Sequence, residues 1–227
     1  VFGTKFGGNV IGRRVSHSLT ILGVFVAFVI SALTLQSVIQ DGARFNETLY
    51  TWMVVGGLKM EIGFLVDGLT AMMMCVVTFV SLMVHIYTIG YMQEDKGYNR
   101  FFAYISLFTF AMLMLVTADN LIQLFFGWEG VGLSSYLLIG FWYHKPSANA
   151  AAMKAFIVNR VGDFGFALGI FGAFLLTGSV AFSGETGVLE IARHVDADNP
   201  LPGILGMSFD TSIIVVTALL FMGAMGK

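Results

Sequence analysis

Residues Asn120–Trp142 read NLIQLFFGWEGVGLSSYLLIGFW, a run of 23 residues in which Glu129 is the only charged side chain. A helix needs about 20 largely apolar residues to cross the roughly 30 Å of hydrocarbon in a bilayer. The run is therefore long enough to span a membrane. Small residues around Glu129 also allow neighbouring helices to approach closely. This stretch predicts a transmembrane helix that carries one buried carboxyl group.

The composition of the whole chain also indicates a membrane protein. Of its 227 residues, 57% are hydrophobic and 11% are charged, whereas soluble domains carry about 25% charged residues. The net charge of −2 and the lack of a basic run in the sequence exclude a disordered or nucleic-acid-binding chain. A single cysteine, Cys75, excludes a disulfide framework. Because the sequence begins at Val1 and stops at Lys227 after an apolar run, we expect a fragment of a longer protein.

Five other largely apolar stretches also contain at most one charged residue. The six predicted spans are Val15–Gln40, Asp67–Gln93, Phe101–Ala118, Asn120–Tyr143, Val161–Phe182 and Leu201–Gly226. We expect the helix of the fifth span to begin earlier, near Lys154. Asp67, Asp119 and Asp210 each begin a span at its outer end, and we predict that they cap helix N-termini. The predicted fold class is an all-α polytopic membrane protein with about six transmembrane helices.

The basic residues predict the orientation of the chain. With the N-terminus on the cytoplasmic or matrix side, eight Lys and Arg residues lie in inner loops and three in outer loops. The inner eight are Lys5, Arg13, Arg14, Lys96, Arg100, Lys145, Lys154 and Arg160, and the outer three are Arg44, Lys59 and Arg193. Because basic residues concentrate on the cytoplasmic side, we predict a cytoplasmic N-terminus.

Two outer segments have local structure of their own. Leu49–Val55 and Leu58–Val66 are rich in β-branched and aromatic residues and flank Gly56-Gly57, a dipeptide suited to a tight turn. They predict a short β-hairpin. The acidic segment Gly184–Pro202 predicts one amphipathic helical turn around Val188–Val195.

Glu129 is the strongest candidate for a functional residue. Counting about 1.5 Å per residue from Asn120 places it roughly 13 Å into the membrane, near the midplane. A carboxylate at that depth is costly unless it is paired, hydrated or protonated, so we interpret Glu129 as a group that takes up and releases protons. The alternative is an interhelical hydrogen bond without a role in turnover. The neighbouring Trp128 is interpreted as a packing residue.

Asp163 is a second acid within a predicted span, and Arg160 precedes it by three residues. Residues at this spacing share one face of a helix, so Arg160 can partly neutralise Asp163. Their pairing either is purely structural or tunes a neighbouring proton site. Glycines recur on the same helix at spacings of 3, 4 and 3, which predicts a closely packed helix seam. These glycines are Gly162, Gly165, Gly169 and Gly172.

Lys227 and His85 are two further candidates. A straight helix from Asp210 would place Lys227 about 26 Å along its axis, near the inner surface, where a lysine side chain commonly extends into the headgroup region. Only a helix that starts earlier or is broken would hold it at the midplane. His85 lies in the inner half of its span and is either a packing residue or a candidate proton relay.

Three motifs of the sequence resemble one known family. Asn120–Trp142 resembles the signature of chain 5 of respiratory complex I, which is called subunit L in bacteria. Asn159–Gly165, NRVGDFG, and Gly223–Lys227, GAMGK, are similar to two further motifs of that family. The resemblance extends over essentially the whole chain and is greater for the bacterial type of complex.

The resemblance implies an antiporter-like, proton-translocating membrane subunit with two inverted five-helix repeats, each containing a broken helix. By resemblance, Glu129 corresponds to the membrane glutamate and Lys227 to the broken-helix lysine of the first repeat. The two are expected to pair and separate as a charge switch. Asp163 matches an acid that modulates the site, and Arg160 matches its partner. The implied break would hold Lys227 at the midplane.

The resemblance also implies a place in a larger assembly. Residues 1–100 would form an N-terminal membrane segment with the hairpin at 49–66, and residues 101–227 the first part of the repeat. The expected partners are other membrane subunits of complex I, the lipid bilayer and protons, in the bacterial cytoplasmic membrane. We expect no metal and no cofactor on this chain, because NADH, FMN, iron–sulfur clusters and quinone would belong to other subunits. The alternatives are the large subunit of a multi-subunit cation/proton antiporter and a membrane scaffold whose buried charges are structural.

Overall fold

The computed structural model describes residues 12–56, 58–183, 187–193 and 203–227. Within these residues the chain forms seven helices and one two-stranded antiparallel sheet. The helices are α1 (Arg13–Asp41), α2 (Gly68–Tyr91), α3 (Tyr98–Val116), α4 (Leu121–Ile139), α5 (Pro146–Thr177), α6 (Val188–Arg193) and α7 (Phe209–Gly226). The strands, between α1 and α2, are β1 (Phe45–Val55) and β2 (Leu58–Val66).

Six of these helices, all except α6, are long and apolar enough to cross a membrane. The predicted fold class, all-α with about six spans and a small hairpin, is therefore confirmed. The starts of α5 and α7 differ most from the prediction. The fifth helix begins at Pro146 rather than near Lys154, because the fixed φ of proline suits the first position of a helix. The last helix begins at Phe209 and not near Leu201, and residues 203–208 are not helical.

The N-cap of α2 follows the sequence prediction, whereas the N-cap of α4 does not. The Asp67 side chain accepts a hydrogen bond from the Thr70 backbone N–H at 2.8 Å and caps α2 as predicted. The cap of α4 is Asn120, whose side-chain oxygen accepts from the Gln123 N–H at 2.8 Å. The prediction for Asp119 is wrong, because Asp119 lies one residue too early and its carboxylate accepts from the Asn120 amide at 2.6 Å.

The chain between α5 and α7 contains α6 and the cap of α7. The helix α6 corresponds to the predicted amphipathic turn, although residues 184–186 and 194–202 lie outside the described part of the chain. Ser208 caps α7 by accepting from the Thr211 N–H at 3.3 Å. The prediction of a cap at Asp210 is therefore wrong. Asp210 lies in the first helical turn instead, where a negative charge is favourable to the helix dipole.

The predicted hairpin is confirmed. Strands β1 and β2 pair antiparallel, and β1 begins at Phe45, before the predicted Leu49. Gly56 in the turn has φ +57°, a left-handed conformation that glycine adopts without steric penalty. The Leu65 N–H donates to the Thr117 carbonyl at 3.1 Å, so the hairpin is attached to the segment that joins α3 to α4.

The six long helices pack mainly in pairs. Helix α1 packs on α2, α3 on α4, and α5 on α7, and the contact between α4 and α5 connects the last two pairs. A buried apolar cluster fills the outer part of the α4, α5 and α7 contact. Its buried members are Leu121, Phe166, Ile170, Ala173, Leu176, Val180, Phe209 and Val216. This cluster fixes the three helices that carry the candidate site.

The glycine stripe of α5 lies against α7, as the sequence predicts. A Cβ added at Gly162 would lie 3.0 Å from the Cα of Gly226, and one added at Gly226 would lie 2.8 Å from the Cα of Gly162. The two backbones are therefore in contact at this point. Farther out along the seam, side chains of α7 fill the glycine positions. They are Met222 at Gly165, Leu220 at Gly169 and Val216 at Gly172.

Asp119 is buried where the hairpin meets the segment between α3 and α4. Only 8% of its surface is exposed, and its Oδ2 occupies the space that a side chain at Gly63 would need. Burial raises the pKa of Asp119, and the nearby charge of Glu61 acts in the same direction, whereas the hydrogen bond from the Asn120 amide opposes them. An ionised Asp119 therefore weakens the attachment of the hairpin.

We expect Asp119→Asn to hold the hairpin at least as firmly as the wild-type residue at neutral pH. Because the folded-state pKa of Asp119 is raised above 3.8, the attached hairpin binds the proton more tightly than a detached one. The free energy of attachment therefore falls as the pH rises through the window above 3.8. Amide hydrogen exchange at Leu65, corrected for its intrinsic rate, should show this pH dependence in the wild type and lose it in the variant.

The matched control for this prediction is Glu47→Gln, which removes an exposed acid from β1. Its exchange at Leu65 should follow the wild-type pH dependence. An unchanged pH dependence in Asp119→Asn would contradict the assignment of this effect to Asp119.

Candidate functional site

Glu129 lies in the middle of α4, as the sequence predicts. It follows the Asn120 cap by nine residues, which is about 13 Å along the helix axis. Its side chain is 24% exposed. The ion-pair partner of its Oε2 is the Nη1 of Arg160, on α5.

Arg160 lies between two carboxylates from two helices. Besides its contact with Glu129, its Nη1 is 3.8 Å from the Oδ2 of Asp163, which confirms the predicted shared face. The Asp163 side chain is 7% exposed, whereas that of Arg160 is 45% exposed. The guanidinium also lies over the ring of Phe156, 4.8 Å from its centroid. One half-exposed cation is thus within reach of two acids.

Trp128 links the acid of α5 to the lysine of α7, a role that the sequence interpretation missed. Its ring stacks on Phe166 at 5.1 Å, so the predicted packing is present. In addition, its indole N–H donates to Asp163 Oδ1 at 3.0 Å. The Nζ of Lys227 donates to the Trp128 carbonyl and lies 5.1 Å from the ring centroid. The signal in the sequence was a tryptophan beside a carboxyl group in a predicted membrane helix, because an indole N–H in such a helix needs an acceptor.

Lys227 reaches the depth of Trp128 at the end of an uninterrupted α7. The break implied by the family resemblance therefore does not precede Lys227. The position of α7 along α5 accounts for the depth instead. Val216 already lies against Gly172, nine residues farther out on α5 than Asp163, so α7 begins farther from the midplane than α4 does. A straight helix thus holds Lys227 level with the two acids.

The amine of Lys227 lies in a space left by a glycine of α4. A Cβ added at Gly132 would lie 2.6 Å from Lys227 Nζ and 3.5 Å from the side-chain nitrogen of Asn159. The charges of Asp163 and Glu129 both act on the Lys227 ammonium. Lys227 forms no ion pair with the Glu129 carboxylate here. Its Nζ instead donates to the carbonyl of Trp128, the residue before Glu129. Two cations and two acids from three helices therefore form one cluster.

His85 lies apart from this cluster, between α2 and α3. It is fully buried, and its Nδ1 is 2.8 Å from the Ser81 carbonyl while its Nε2 is 3.2 Å from Ser106 Oγ. The hydroxyls of Ser81 and Thr109 are 2.6 Å apart. His85 thus belongs to a small hydrogen-bonded group of hydroxyls and packs edge-on against Phe102.

The described residues contain no group of three or more His, Cys, Asp or Glu side chains that could hold a metal ion. Cys75 is a free, partly buried thiol in α2. The expectation that this chain binds no cofactor stays a prediction.

Six apolar helices, three of which bring four ionisable side chains together, define a multi-pass membrane protein with a charge cluster between its helices. Two family models match the chain. Residues 52–102 match the family described as NADH-Ubiquinone oxidoreductase (complex I), chain 5 N-terminus, and residues 118–227 match NADH:quinone oxidoreductase/Mrp antiporter, TM. Together they match well over half of the sequence. The chain belongs to the family of antiporter-like membrane subunits that includes chain 5, or subunit L, of complex I.

Individual relatives are named as subunit L or chain 5 of NADH-quinone or NADH-ubiquinone oxidoreductase. NADH-quinone oxidoreductase subunit L of Neisseria meningitidis serogroup B is 56% identical over 226 residues, which cover 97% of this chain and 32% of the relative. NADH-ubiquinone oxidoreductase chain 5 of Chondrus crispus is 44% identical over 222 residues, covering 98% of this chain and 32% of the relative. The chain thus spans about a third of the length of these relatives.

Solved structures share the fold at low sequence identity. A chain of the membrane-bound sulfane sulfur reductase, an archaeal respiratory membrane complex, matches with a TM-score of 0.71 at 15% identity, over 91% of this chain and 38% of that one. A chain of the Mrp complex from Dietzia sp. matches with a TM-score of 0.68 at 19% identity, over 92% of this chain and 23% of that one. Both confirm an antiporter-like arrangement of the helices.

Proposed function

We propose that this chain is part of a proton-translocating membrane subunit of NADH:quinone oxidoreductase, which moves protons while quinone is reduced elsewhere in the complex. The names of the relatives at up to 56% identity support the assignment to that complex. The observation that carries the proton-moving role is the ion pair between Glu129 and Arg160 deep in the bundle, with Asp163 and Lys227 around it. Charged groups inside a membrane protein commonly mark an ion path.

The shared Arg160 gives the proposed site two arrangements. When Arg160 pairs with Glu129, it stabilises the ionised carboxylate. When Arg160 turns toward Asp163, which is already 3.8 Å away, the Glu129 carboxylate loses its partner and takes up a proton. Lys227 acts as the next group in the path. Its Nζ is bonded to the carbonyl of Trp128, the residue before Glu129, and an ammonium group has a proton to transfer. Glu129 and Lys227 thus remain the charge switch, and Arg160 is the group that moves.

His85 is proposed as a separate relay, because its two ring nitrogens connect a carbonyl of α2 to a hydroxyl of α3. A neutral imidazole can accept a proton on one nitrogen and release one from the other. The packing alternative remains, since the ring is fully buried against Phe102.

We further propose other membrane subunits of complex I, lipid and protons as the partners of the chain. NADH, FMN, iron–sulfur clusters and quinone would be bound by other subunits. The location would be the bacterial cytoplasmic membrane with the N-terminus on the cytoplasmic side. Lys154 and Arg160 lie within α5 and not in an inner loop as the sequence predicts, but the six other basic residues assigned to that side still outnumber the three assigned to the other.

A cation/proton antiporter subunit is the second candidate function. The family model over residues 118–227 is shared with the Mrp antiporter, and the Mrp complex has the same fold. A membrane scaffold with purely structural charges is the third candidate, because paired buried charges can also serve helix packing.

A transport measurement on the complete complex in proteoliposomes separates these functions. We expect NADH and quinone to drive proton uptake, followed with a pH-sensitive dye, at the same rate with and without sodium ions. Proton movement driven by an imposed sodium gradient without NADH would favour the antiporter. Quinone reduction without any proton movement would favour the scaffold.

A further inference from the structure

A cavity with both polar and apolar side chains on its wall opens at the end of the bundle where α3 begins and α4 ends. Its volume is about 490 Å³, and it lies between α3, the end of α4 and the first turns of α5. Arg100 and Tyr104 from α3, Tyr136 from α4, Tyr143 from the following loop and Asn149 from α5 line it. This cavity is separate from the charge cluster around Glu129.

Arg100 is held rigidly at the wall of this cavity. Its Nη2 donates to the Phe141 carbonyl at 3.1 Å, and its guanidinium lies over the rings of Phe141 and Tyr143, 4.6 and 5.3 Å from their centroids. Its Nε is buried, and no acceptor among the described residues bonds to it. A buried charged donor without an acceptor is costly, and an anion beside the guanidinium would offset part of that cost.

No carboxylate of the described residues forms an ion pair with Arg100. The charge of Arg100 acts on Asp95 without a direct ion pair, and the Asp95 carboxylate accepts from the Trp142 indole at 2.9 Å and from the Gly97 N–H at 2.6 Å. The hydrogen bonds from Trp142 and Gly97 hold the pKa of Asp95 below its ordinary value. Among the described residues Arg100 thus has no direct carboxylate partner, and its charge is available to an anion in the cavity.

The residues around the cavity are those of a membrane boundary. Tyr104, Tyr136, Tyr143 and Trp142 lie around the end of the helices, and aromatic side chains of this kind concentrate at the headgroup level. Lys145 lies beside Trp142, 5.0 Å from the centre of its ring. Basic pockets between helices at the cytoplasmic boundary are typical binding sites for anionic lipid headgroups.

We propose that this cavity binds the phosphate group of an anionic membrane phospholipid, with Arg100 as the charged donor and the surrounding tyrosine hydroxyls and Asn149 as further polar contacts. Arg100 recognises phosphate by charge-assisted hydrogen bonds. A lipid is favoured over free phosphate as the source, because the cavity lies at the ends of membrane-spanning helices. The proposal does not depend on proton transport by the chain.

Photo-crosslinking tests this proposal on the full-length subunit in its complex. The probe is phosphatidylglycerol with a photoreactive diazirine beside its phosphate, present as a minor component of phosphatidylcholine vesicles. We expect labelled peptides from residues 136–153, and unlabelled phosphatidylglycerol should remove the label. Equal competition by added phosphatidylcholine would overturn the preference for an anionic lipid, and competition by inorganic phosphate would overturn the lipid as the source.

The variant Arg100→Gln should lower the labelling about tenfold, the size expected for one lost hydrogen bond to a charged group. Arg100→Lys keeps the charge without the planar guanidinium, and its labelling should lie between that of the wild type and that of Arg100→Gln. The matched control is Lys96→Gln, which removes an exposed lysine from the same end and should label like the wild type. Unchanged labelling in Arg100→Gln would overturn the site. If that variant does not assemble, the competition experiment on the wild type decides.

Discussion

Replacing Glu129 with Gln is expected to stop most of the proton movement through this subunit while the complex stays assembled. Gln has nearly the same shape and keeps an acceptor oxygen for Arg160, which forms the ion pair in the wild type. It cannot bind and release a proton. The transfer step should therefore slow by about 10²-fold or more, the contribution typical of a positioned proton-transferring group. The measurement is the number of protons moved per NADH oxidised in proteoliposomes.

The matched control for Glu129→Gln is Asp210→Asn, which removes an exposed acid from the first turn of α7. It should pump at the wild-type level, because it lies far from the charge cluster. Full pumping by an assembled Glu129→Gln complex would contradict the proposed mechanism and support the scaffold.

Gly162→Leu is expected to separate α7 from α5 and to remove Lys227 from the charge cluster. A Cβ at residue 162 would lie 3.0 Å from the Cα of Gly226, and a backbone atom cannot rotate away as a flexible side chain can. Overpacking of this kind typically costs about 1–3 kcal/mol. The full-length variant should therefore unfold at a lower temperature in detergent and lose proton movement. Gly162→Ala should show the same effects to a smaller degree.

Gly23→Leu is the matched control for the seam, since it makes the same change in another membrane helix. No atom lies within 4 Å of a Cβ added at Gly23, so the added side chain meets open space and should leave the unfolding temperature unchanged. Equal losses in Gly162→Leu and Gly23→Leu would contradict the assignment of the effect to the close contact at Gly162.

Features that depend on local composition could be predicted from the sequence. The length and apolar content of each stretch predict the six membrane helices, and the Gly56 turn between two β-rich runs predicts the hairpin. The spacing of glycines predicts the seam, because residues three and four apart share one face of a helix. Arg160 and Asp163 share a face for the same reason.

Features that depend on neighbouring elements or on single backbone angles could not be predicted. The sequence spacing relates Arg160 to Asp163, but its contact with Glu129 arises only because α4 packs on α5. The choice between Asp119 and Asn120 as a cap depends on which residue leaves the helical conformation. Asn120 does so, with φ −146° and ψ 160°. The hydrogen bond of Trp128 likewise requires the relative rotation of two helices, which periodicity does not fix.

Trp128 places a chromophore inside the charge cluster. Its ring lies beneath the Lys227 ammonium, and its indole nitrogen is bonded to the Asp163 carboxylate. A charge that moves at either group changes the electric field along the indole, and the absorption and emission of an indole shift with that field. The chain therefore contains an intrinsic optical reporter of its own electrostatics, at the place where an ion would pass.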